Sequence, residues 1–279
     1  MSAKVDLYNN AYGNYAAEVC REIRVATYGQ DLGQTSWASS EESAEIMRSL
    51  EIAGSSYVLE IGCGSGRYAI HVAEKTGCRV LGIDTNAPGI HNANQLAAAQ
   101  NLSERARFDI CDASKQLPFP DSTFDSVFSN DVLCHIPQRQ ALLHELFRVL
   151  KPNARLLFSD ALIIAGIVSH EEIAARSAVG YYLFSPPGEN ERLLETAGFR
   201  LLNVCDATAN AQHIAGRWRE ARSKRAAALI AIEGQENFEG LQRFLATTET
   251  LNKEHRLLRS VYLAQKPGTN ERLGASTRP

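Results

Sequence analysis

The 279-residue sequence has no strong charge imbalance, no long apolar run and no visible secretory signal. Lys and Arg total 29 against 32 Asp and Glu, a net charge of −3, so the composition predicts no general attraction to nucleic acid or to an anionic membrane. The apolar run at 161–168 is far shorter than the roughly 18 residues of a membrane-spanning helix. Residues 1–15 lack a basic start followed by an apolar block. We therefore expect a cytoplasmic protein with a small partner and no membrane association.

Cysteine and histidine are sparse and show no metal-site spacing. The six cysteines are Cys20, Cys63, Cys78, Cys111, Cys134 and Cys205, and no two of them form a C-x-x-C pair. No pair of histidines stands at zinc spacing beside them. The sequence therefore predicts free thiols in a reducing compartment and no bound metal.

Strand and helix patterns alternate along the middle of the chain. The predicted strands are 57–61, 79–84, 105–110, 124–129 and 155–159, followed later by 199–204 and 259–264. The predicted helices between the first five strands are 67–75, 89–100 and 139–150. Such alternation predicts an α/β fold with a parallel sheet wound on both faces.

We expect one domain over residues 1–266. Its central part, about 50–160, carries the regular alternation of strands and helices. Mostly helical segments at 1–48, 161–190 and 206–255 interrupt or flank that pattern, and they are the natural material for a cap over a site at the sheet. Residues 267–279 are rich in Gly, Pro and polar types, which predicts a loose tail.

A glycine turn follows the first predicted strand, in the stretch VLEIGCGSGRYAI at 58–70. Glycine lets the backbone approach a ligand closely, and the next helix directs free N–H groups at the turn. A dinucleotide turn would place Gly or Ala at position 67, where this chain has Arg67. Glu60 would repel a pyrophosphate, but it would attract a sulfonium or an ammonium group. The turn therefore favours an adenosyl group joined to a cationic chain.

The next strand ends carry polar residues that suit the rest of such a ligand. Asp84 lies 18 residues after Gly66 and is placed to accept both ribose hydroxyls, a role that NAD would use equally well. Asp112 and Ala113 end the third strand, where a carboxylate can accept from an adenine amino group. Asn130 follows the fourth strand. Because these ends meet at one edge of a parallel sheet, we expect them to line one pocket.

These motifs together resemble the class I S-adenosylmethionine-dependent methyltransferases, in the small-molecule branch related to ubiquinone-pathway, sarcosine/dimethylglycine and phosphoethanolamine methyltransferases. The resemblance covers roughly residues 25–266 and rests on VLEIGCGSG (58–66), GID (82–84), CDA (111–113), LPFPDSTFDSVFSNDVLCHIP (117–137) and LFRVLKPNARLLFSD (146–160). It implies a Rossmann-like, seven-stranded, mostly parallel sheet with helices on both faces and a partly helical cap. The family often has two glycines where this chain has Asn153 and Ala154.

The resemblance also implies the cofactor and its contacts. The glycine turn would hold the methionine part of S-adenosyl-L-methionine, the second-strand acid the ribose and the third-strand acid the adenine, and the product would be S-adenosyl-L-homocysteine. The expected cofactor-binding residues are Glu60, Gly62, Cys63, Gly64, Gly66, Asp84, Thr85, Asp112, Ala113 and Asn130.

The expected function is methyl transfer to nitrogen or oxygen of a small metabolite or natural product. C-methylation, a silent cofactor-binding scaffold and a nicotinamide oxidoreductase are the alternatives. Nucleic acid is not expected as the acceptor, because NDVLCHIP at 130–137 lacks the Asn/Asp-Pro-Pro-aromatic signature and the chain has no Pro-Cys nucleophile. The sequence does not specify the oligomeric state.

Three further features have two interpretations each. His135, which follows the fourth strand, is the candidate general base, or it orients and packs. Tyr28 and Trp37 are the candidate substrate residues within an aromatic N-terminal segment, or they pack the cap onto the core. The basic cluster at 217–225 is a solvated helix face, or it is a patch for an anionic substrate.

Overall fold

The computed structural model describes residues 5–268, so most of the expected tail at 267–279 lies outside the described residues. The strands are β1 (Tyr57–Ile61), β2 (Arg79–Asp84), β3 (Ala106–Ile110), β4 (Phe124–Ser129), β5 (Leu150–Ile164), β6 (Arg200–Asp206) and β7 (Leu257–Gln265). The helices are α1 (Leu7–Gly13), α2 (Glu18–Tyr28), α3 (Ser40–Ser49), α4 (Arg67–Thr76), α5 (Ala87–Ala99), α6 (Arg139–Val149), α7 (His170–Arg176), α8 (Glu189–Thr196), α9 (Thr208–Ser223), α10 (Ala226–Glu233) and α11 (Gln235–Lys253). A 3₁₀ turn, Leu133–His135, follows β4.

The strands form a seven-stranded sheet in the order β3-β2-β1-β4-β5-β7-β6. β1 to β5 run parallel to one another, and β7 is antiparallel to both β5 and β6. The expected Rossmann-like, mostly parallel sheet is confirmed. Because β1 lies between β2 and β4, the strand order reverses there, and a crevice opens beyond the carboxyl ends of these strands.

β5 is much longer than its predicted core at 155–159. Its antiparallel pairing with β7 runs from Arg155 opposite Gln265 to Ile164 opposite Leu257, so tertiary pairing continues the strand beyond the local pattern. Before this pairing, within the irregular part of β5 between Leu150 and Arg155, Asn153 has a φ of 64°. Asparagine tolerates this left-handed conformation better than most residues, which explains how it replaces a family glycine.

Helices cover both faces of the sheet. On one face, α6 and α8 contribute Leu143 and Leu194 to a cluster that also contains Phe124 from β4. On the other face, α4 and α5 contribute Ile70 and Ala93. Burying a side chain of the size of leucine or phenylalanine contributes about 1.5–3 kcal/mol, so these two layers fix the strand ends that face the crevice.

A third hydrophobic cluster consists mostly of residues from helices outside the sheet and includes Ala161 of β5. It joins Leu7 of α1, Tyr28 of α2, Trp218 of α9 and Phe244 of α11. We propose that this cluster is the core of the cap. By contrast, Ile46 of α3 packs with the residues of α4 and α5 against the sheet, so the N-terminal segment contributes to both layers.

Candidate active site

A cavity of about 520 Å³ opens beyond β1, β2, β3 and β4. Of the predicted cofactor-binding residues, those that line it are Glu60, Gly62, Cys63, Gly64, Asp84, Thr85, Asp112, Ala113 and Asn130. His135 lines the same cavity. The structure therefore brings residues from four strand ends to one volume, in the size range of small-molecule sites.

The glycine turn is held by the neighbouring strand end. The Gly64 N–H donates to Asp84 Oδ2 over 2.9 Å, and the Asn86 N–H donates to Asp84 Oδ1 over 2.8 Å. Gly64 has a φ of 52°, and a Cβ there would collide with the Tyr12 hydroxyl. The backbone at this turn thus requires glycine for its conformation and for its close contact with α1.

Gly66 lies behind the cavity wall. It caps α4 with a φ of 71°, and a Cβ there would lie 2.5 Å from Ala93 Cβ of α5. Gly66 therefore lets the turn pack against α5, and the structure does not place it among the lining residues.

Glu60 is a buried carboxyl at the end of β1. It is 3% exposed, and its Oε2 has no hydrogen-bond partner. Burial raises the pKa of Glu60 well above its usual range, and the nearby carboxylate of Asp84 raises it further. A carboxyl in this state becomes a favourable carboxylate once a cation lies beside it, which suits an ammonium or a sulfonium group.

The third strand end is more open. Asp112 accepts from the Ser114 N–H over 3.0 Å and from the Ser114 hydroxyl over 2.6 Å, and these bonds lower the pKa of Asp112. Asn130 presents a buried Oδ1 without a partner. Asp112, which the sequence predicts for adenine, and Asn130 therefore both offer hydrogen-bond acceptors at the cavity.

His135 is paired with Tyr8 of α1. The Tyr8 hydroxyl lies 2.9 Å from His135 Nε2, and the carbonyl oxygen of Tyr181 lies 2.9 Å from His135 Nδ1. Because a carbonyl oxygen only accepts, the neutral imidazole carries its hydrogen on Nδ1, and Nε2 accepts from Tyr8. Burial, the largest cause, lowers the pKa of His135 and raises that of Tyr8, so both groups are neutral near pH 7.

Tyr28 and Trp37 lie outside the cavity lining. The Tyr28 hydroxyl donates to the Ser36 carbonyl over 2.9 Å, and the backbone N–H of Trp37 donates to Asp131 Oδ2 over 2.8 Å. Both rings contact Trp218 of α9 in the third cluster. Between them in the chain, the segment at 34–36 lines the cavity, and the packing of the two rings holds this segment in place.

Several lining residues were not singled out as site residues by the sequence. The N-terminal part contributes Tyr8, Tyr12, Gln34, Thr35 and Ser36, and the segment after α7 contributes Val179, Gly180 and Tyr181. The crowding of tyrosines near the N-terminus was the available signal for Tyr8 and Tyr12. No local pattern marks Val179 or Gly180.

The basic cluster at 217–225 is largely neutralised by glutamates. Arg219 pairs with Glu249, and the buried Arg222 pairs with Glu233. Lys224 and Arg225 also pair with glutamates. Most of the positive charge of the cluster is therefore paired with glutamates of the same chain.

In residues 5–268, no three His, Cys, Asp or Glu side chains gather as a metal site. No helix there has the length and apolarity to cross a membrane.

Comparison with known proteins agrees with the fold and the cavity. A family model described as a methyltransferase domain matches residues 59–158. The chain is 30% identical to 27-O-demethylrifamycin SV methyltransferase of Amycolatopsis mediterranei, over 69% of this chain and 72% of that protein. It is 28% identical to Methyltransferase GfsG of Streptomyces halstedii, over 61% of this chain and 62% of that protein.

A solved structure shows the same fold at lower identity. Phosphoethanolamine N-methyltransferase 2 of Haemonchus contortus, in complex with phosphomonomethylethanolamine and S-adenosylhomocysteine, matches with a TM-score of 0.77 and 21% identity. The match covers 94% of this chain and 61% of that one. With the glycine turn, the acidic strand ends and these relatives in agreement, the chain belongs to the class I S-adenosylmethionine-dependent methyltransferases.

Proposed function

We propose that this protein methylates a nitrogen or an oxygen atom of a small molecule. The observation that carries this acceptor chemistry is the Tyr8–His135 pair, which lines the cavity as a hydroxyl donating to an unprotonated imidazole nitrogen. An N–H or O–H acceptor must lose a proton when it gains a methyl group, and this pair can receive it. The cavity of about 520 Å³ has to hold the cofactor as well as the acceptor, which supports an acceptor of small metabolite size.

The donor site fits S-adenosylmethionine. The buried, unpartnered oxygens of Glu60 and Asn130 are acceptors that a cationic methionine chain would satisfy. Asp84 sits beside them as a further carboxylate that both holds the turn and borders the cavity. Bound cofactor would supply the methyl group from a sulfonium, so the residues of this chain have mainly to align the acceptor and manage its proton.

We propose that the acceptor proton is relayed through Tyr8 to His135 in two linked transfers. The acceptor N–H or O–H donates to Tyr8 Oη while the Tyr8 hydroxyl proton moves to His135 Nε2. The acceptor is left with the electron pair that bonds the methyl group, and His135 becomes an imidazolium whose Nδ1–H still donates to the Tyr181 carbonyl. Tyr8 is thus the group that touches the acceptor, and His135 stores the proton until solvent removes it.

The proposal also covers the location of the enzyme and the class of its partner. We propose a cytoplasmic enzyme whose partner is a small molecule and not nucleic acid. The names of two relatives support this range of acceptors, because one acts on an O-demethylated rifamycin and another on a phosphoethanolamine nitrogen.

A methyl-transfer assay tests the proposal. The purified protein is incubated with S-adenosylmethionine and a panel of amines, phenols and aliphatic hydroxyl compounds, and mass spectrometry follows S-adenosylhomocysteine and the methylated product. We expect N- or O-methylated product that falls sharply with the Tyr8→Phe variant. Product methylated only on carbon, or tight cofactor binding without turnover of any panel member, would contradict it. Parallel calorimetry with NAD tests the oxidoreductase alternative.

A further inference from the structure

Arg176, the last residue of α7, is a buried cation without a counterion. It is 1% exposed, and its Nε and Nη1 have no hydrogen-bond partner. Within residues 5–268 no carboxylate lies within ion-pair distance of its guanidinium. Fully buried arginines are normally paired with a carboxylate, so a buried guanidinium without one is unusual.

Aromatic rings surround the guanidinium. Its Cζ lies 5.4 Å from the ring centre of Trp37, 4.9 Å from that of Tyr182 and 4.8 Å from that of Phe244. Cation–π contacts of this kind stabilise the charge, but they do not neutralise it. The field of Arg176 therefore extends to the groups behind the rings.

The imidazole of His135 is one of those groups. The Tyr182 ring contacts both partners, since its centre lies 4.5 Å from that of His135. A void of about 10 Å³ is lined by Arg176, His135 and Tyr8. A void of this size has room for about one water molecule, so it does not accommodate an anionic substrate group beside Arg176.

The other charged groups near His135 already have partners. Asp131, two residues after β4, is bound by Arg259 over 2.9 Å, and Asp160, on β5, is bound by Arg139 of α6 over 2.7 Å. Each of these carboxylates therefore has its own arginine.

The remaining titratable neighbours are uncharged. Burial raises the pKa of Cys134, of Tyr8 and of Tyr182, so these groups stay neutral. Arg176 is the one charge among these neighbours that lacks a counterion.

We propose that Arg176 is a positioning residue that acts through His135: its unpaired guanidinium disfavours the imidazolium and keeps the imidazole ready to accept the proton relayed by Tyr8. The catalytic use of this effect rests on the proposed function. The electrostatic effect of Arg176 on His135 does not depend on it. In support, burial and Arg176 both lower the pKa of His135, while the Tyr181 carbonyl, Asp131 and Asp160 raise it. The same field speeds loss of the stored proton after each turnover.

Nuclear magnetic resonance titration of the His135 imidazole tests the proposal without any turnover. The protein is saturated with S-adenosylhomocysteine, and the His135 signal is identified by its loss in His135→Asn. We expect the pKa of His135 to lie below its usual 6.5 in the unmodified chain and to rise by about one pH unit in Arg176→Met, the size of a charge–charge term at an effective dielectric constant of about 20. Arg176→Lys, which keeps the charge, should stay close to the unmodified chain.

The outcomes separate the two proposals. A His135 pKa at or above 6.5 in the unmodified chain overturns the role of Arg176, even if no variant folds. An equal pKa in Arg176→Met, or in Arg176→Gln if the methionine variant does not fold, also overturns it. If the titration behaves as expected but no acceptor is methylated, the electrostatic role stands and the proposed function fails. With an acceptor, the acidic limb of kcat should move to higher pH in Arg176→Met and not in Arg176→Lys.

Discussion

The hydroxyl of Tyr8 and the Nε2 of His135 are separated by 127 positions in the chain and by 2.9 Å in space. α1 brings the tyrosine over the cavity, where Asn92 Nδ2 of α5 donates to the Tyr12 carbonyl over 2.8 Å and anchors the helix. The contact thus joins the N-terminal segment to the turn after β4. Docking of α1 therefore completes the proton path that we propose.

Removing the Tyr8 hydroxyl should slow catalysis and leave the cofactor site intact. Tyr8→Phe breaks the bond to His135 Nε2, and we expect kcat to fall by about 10²- to 10⁴-fold, the usual contribution of a positioned acid–base group. The dissociation constant for S-adenosylmethionine should change little. Tyr15→Phe, which removes a nearby hydroxyl that does not contact His135, is the control. Equal kcat for the two variants would show that Tyr8 carries no proton.

The sequence predicts the parts of the fold that rest on local pattern. β1 at 57–61, β2 at 79–84 and β4 at 124–129 agree with the predicted bounds, because short apolar runs bounded by turns identify buried parallel strands. β5 is longer than predicted because its second half depends on pairing with β7, about a hundred residues later in the chain. Pairing over such a distance leaves no periodic signal.

The sequence likewise predicts some residues of the candidate site and not others. Residues at strand ends, such as Glu60 and Asp84, follow from the strand order, because parallel strands end at one edge. The choice between Tyr8 and Tyr28 could not be made from the sequence. Both belong to an aromatic segment, and only the packing of Tyr28 against Trp218 shows that its ring points into the cap.

Asp84→Ala should weaken cofactor binding in two ways. The variant loses the carboxylate proposed for the ribose, and it frees the Gly64 and Asn86 N–H groups that shape the turn. We expect a loss of about 1.5–3 kcal/mol in binding free energy, the range for hydrogen bonds to a charged group. Calorimetry with S-adenosylhomocysteine measures it, and Asp84→Asn should lose less because it keeps one acceptor. An unchanged dissociation constant would show that the ribose is held elsewhere.

Glu60 should release a proton when the cofactor binds. Burial raises its pKa in the folded protein above the unfolded value of 4.5. At a pH between these two pKa values, the carboxyl is protonated in the absence of ligand. A cation beside it favours the carboxylate, and the proton leaves to the buffer. Calorimetry of S-adenosylmethionine binding in buffers of different ionisation enthalpy should therefore give different apparent enthalpies.

The matched variant for that measurement is Glu60→Gln, which keeps the size of the side chain and has no proton to release. Its apparent enthalpies should agree across buffers. Equal enthalpies in the unmodified chain would mean that Glu60 is already ionised or remains protonated in the complex.

The buried Arg259 of β7 should contribute more to stability than an arginine at the surface. It is 0% exposed and binds Asp131 and Glu42 over 2.9 Å each, which ties β4 and α3 to β7. Arg259→Met leaves both carboxylates unpaired in a buried place, and we expect the free energy of unfolding to fall by about 3–5 kcal/mol. The control, Arg256→Met, removes an arginine that is 24% exposed and paired with Glu172. For such a pair we expect the free energy of unfolding to fall by only about 0–1 kcal/mol. Urea unfolding compares the two variants, and losses of equal size would show that solvent or a rearranged side chain compensates the buried carboxylates.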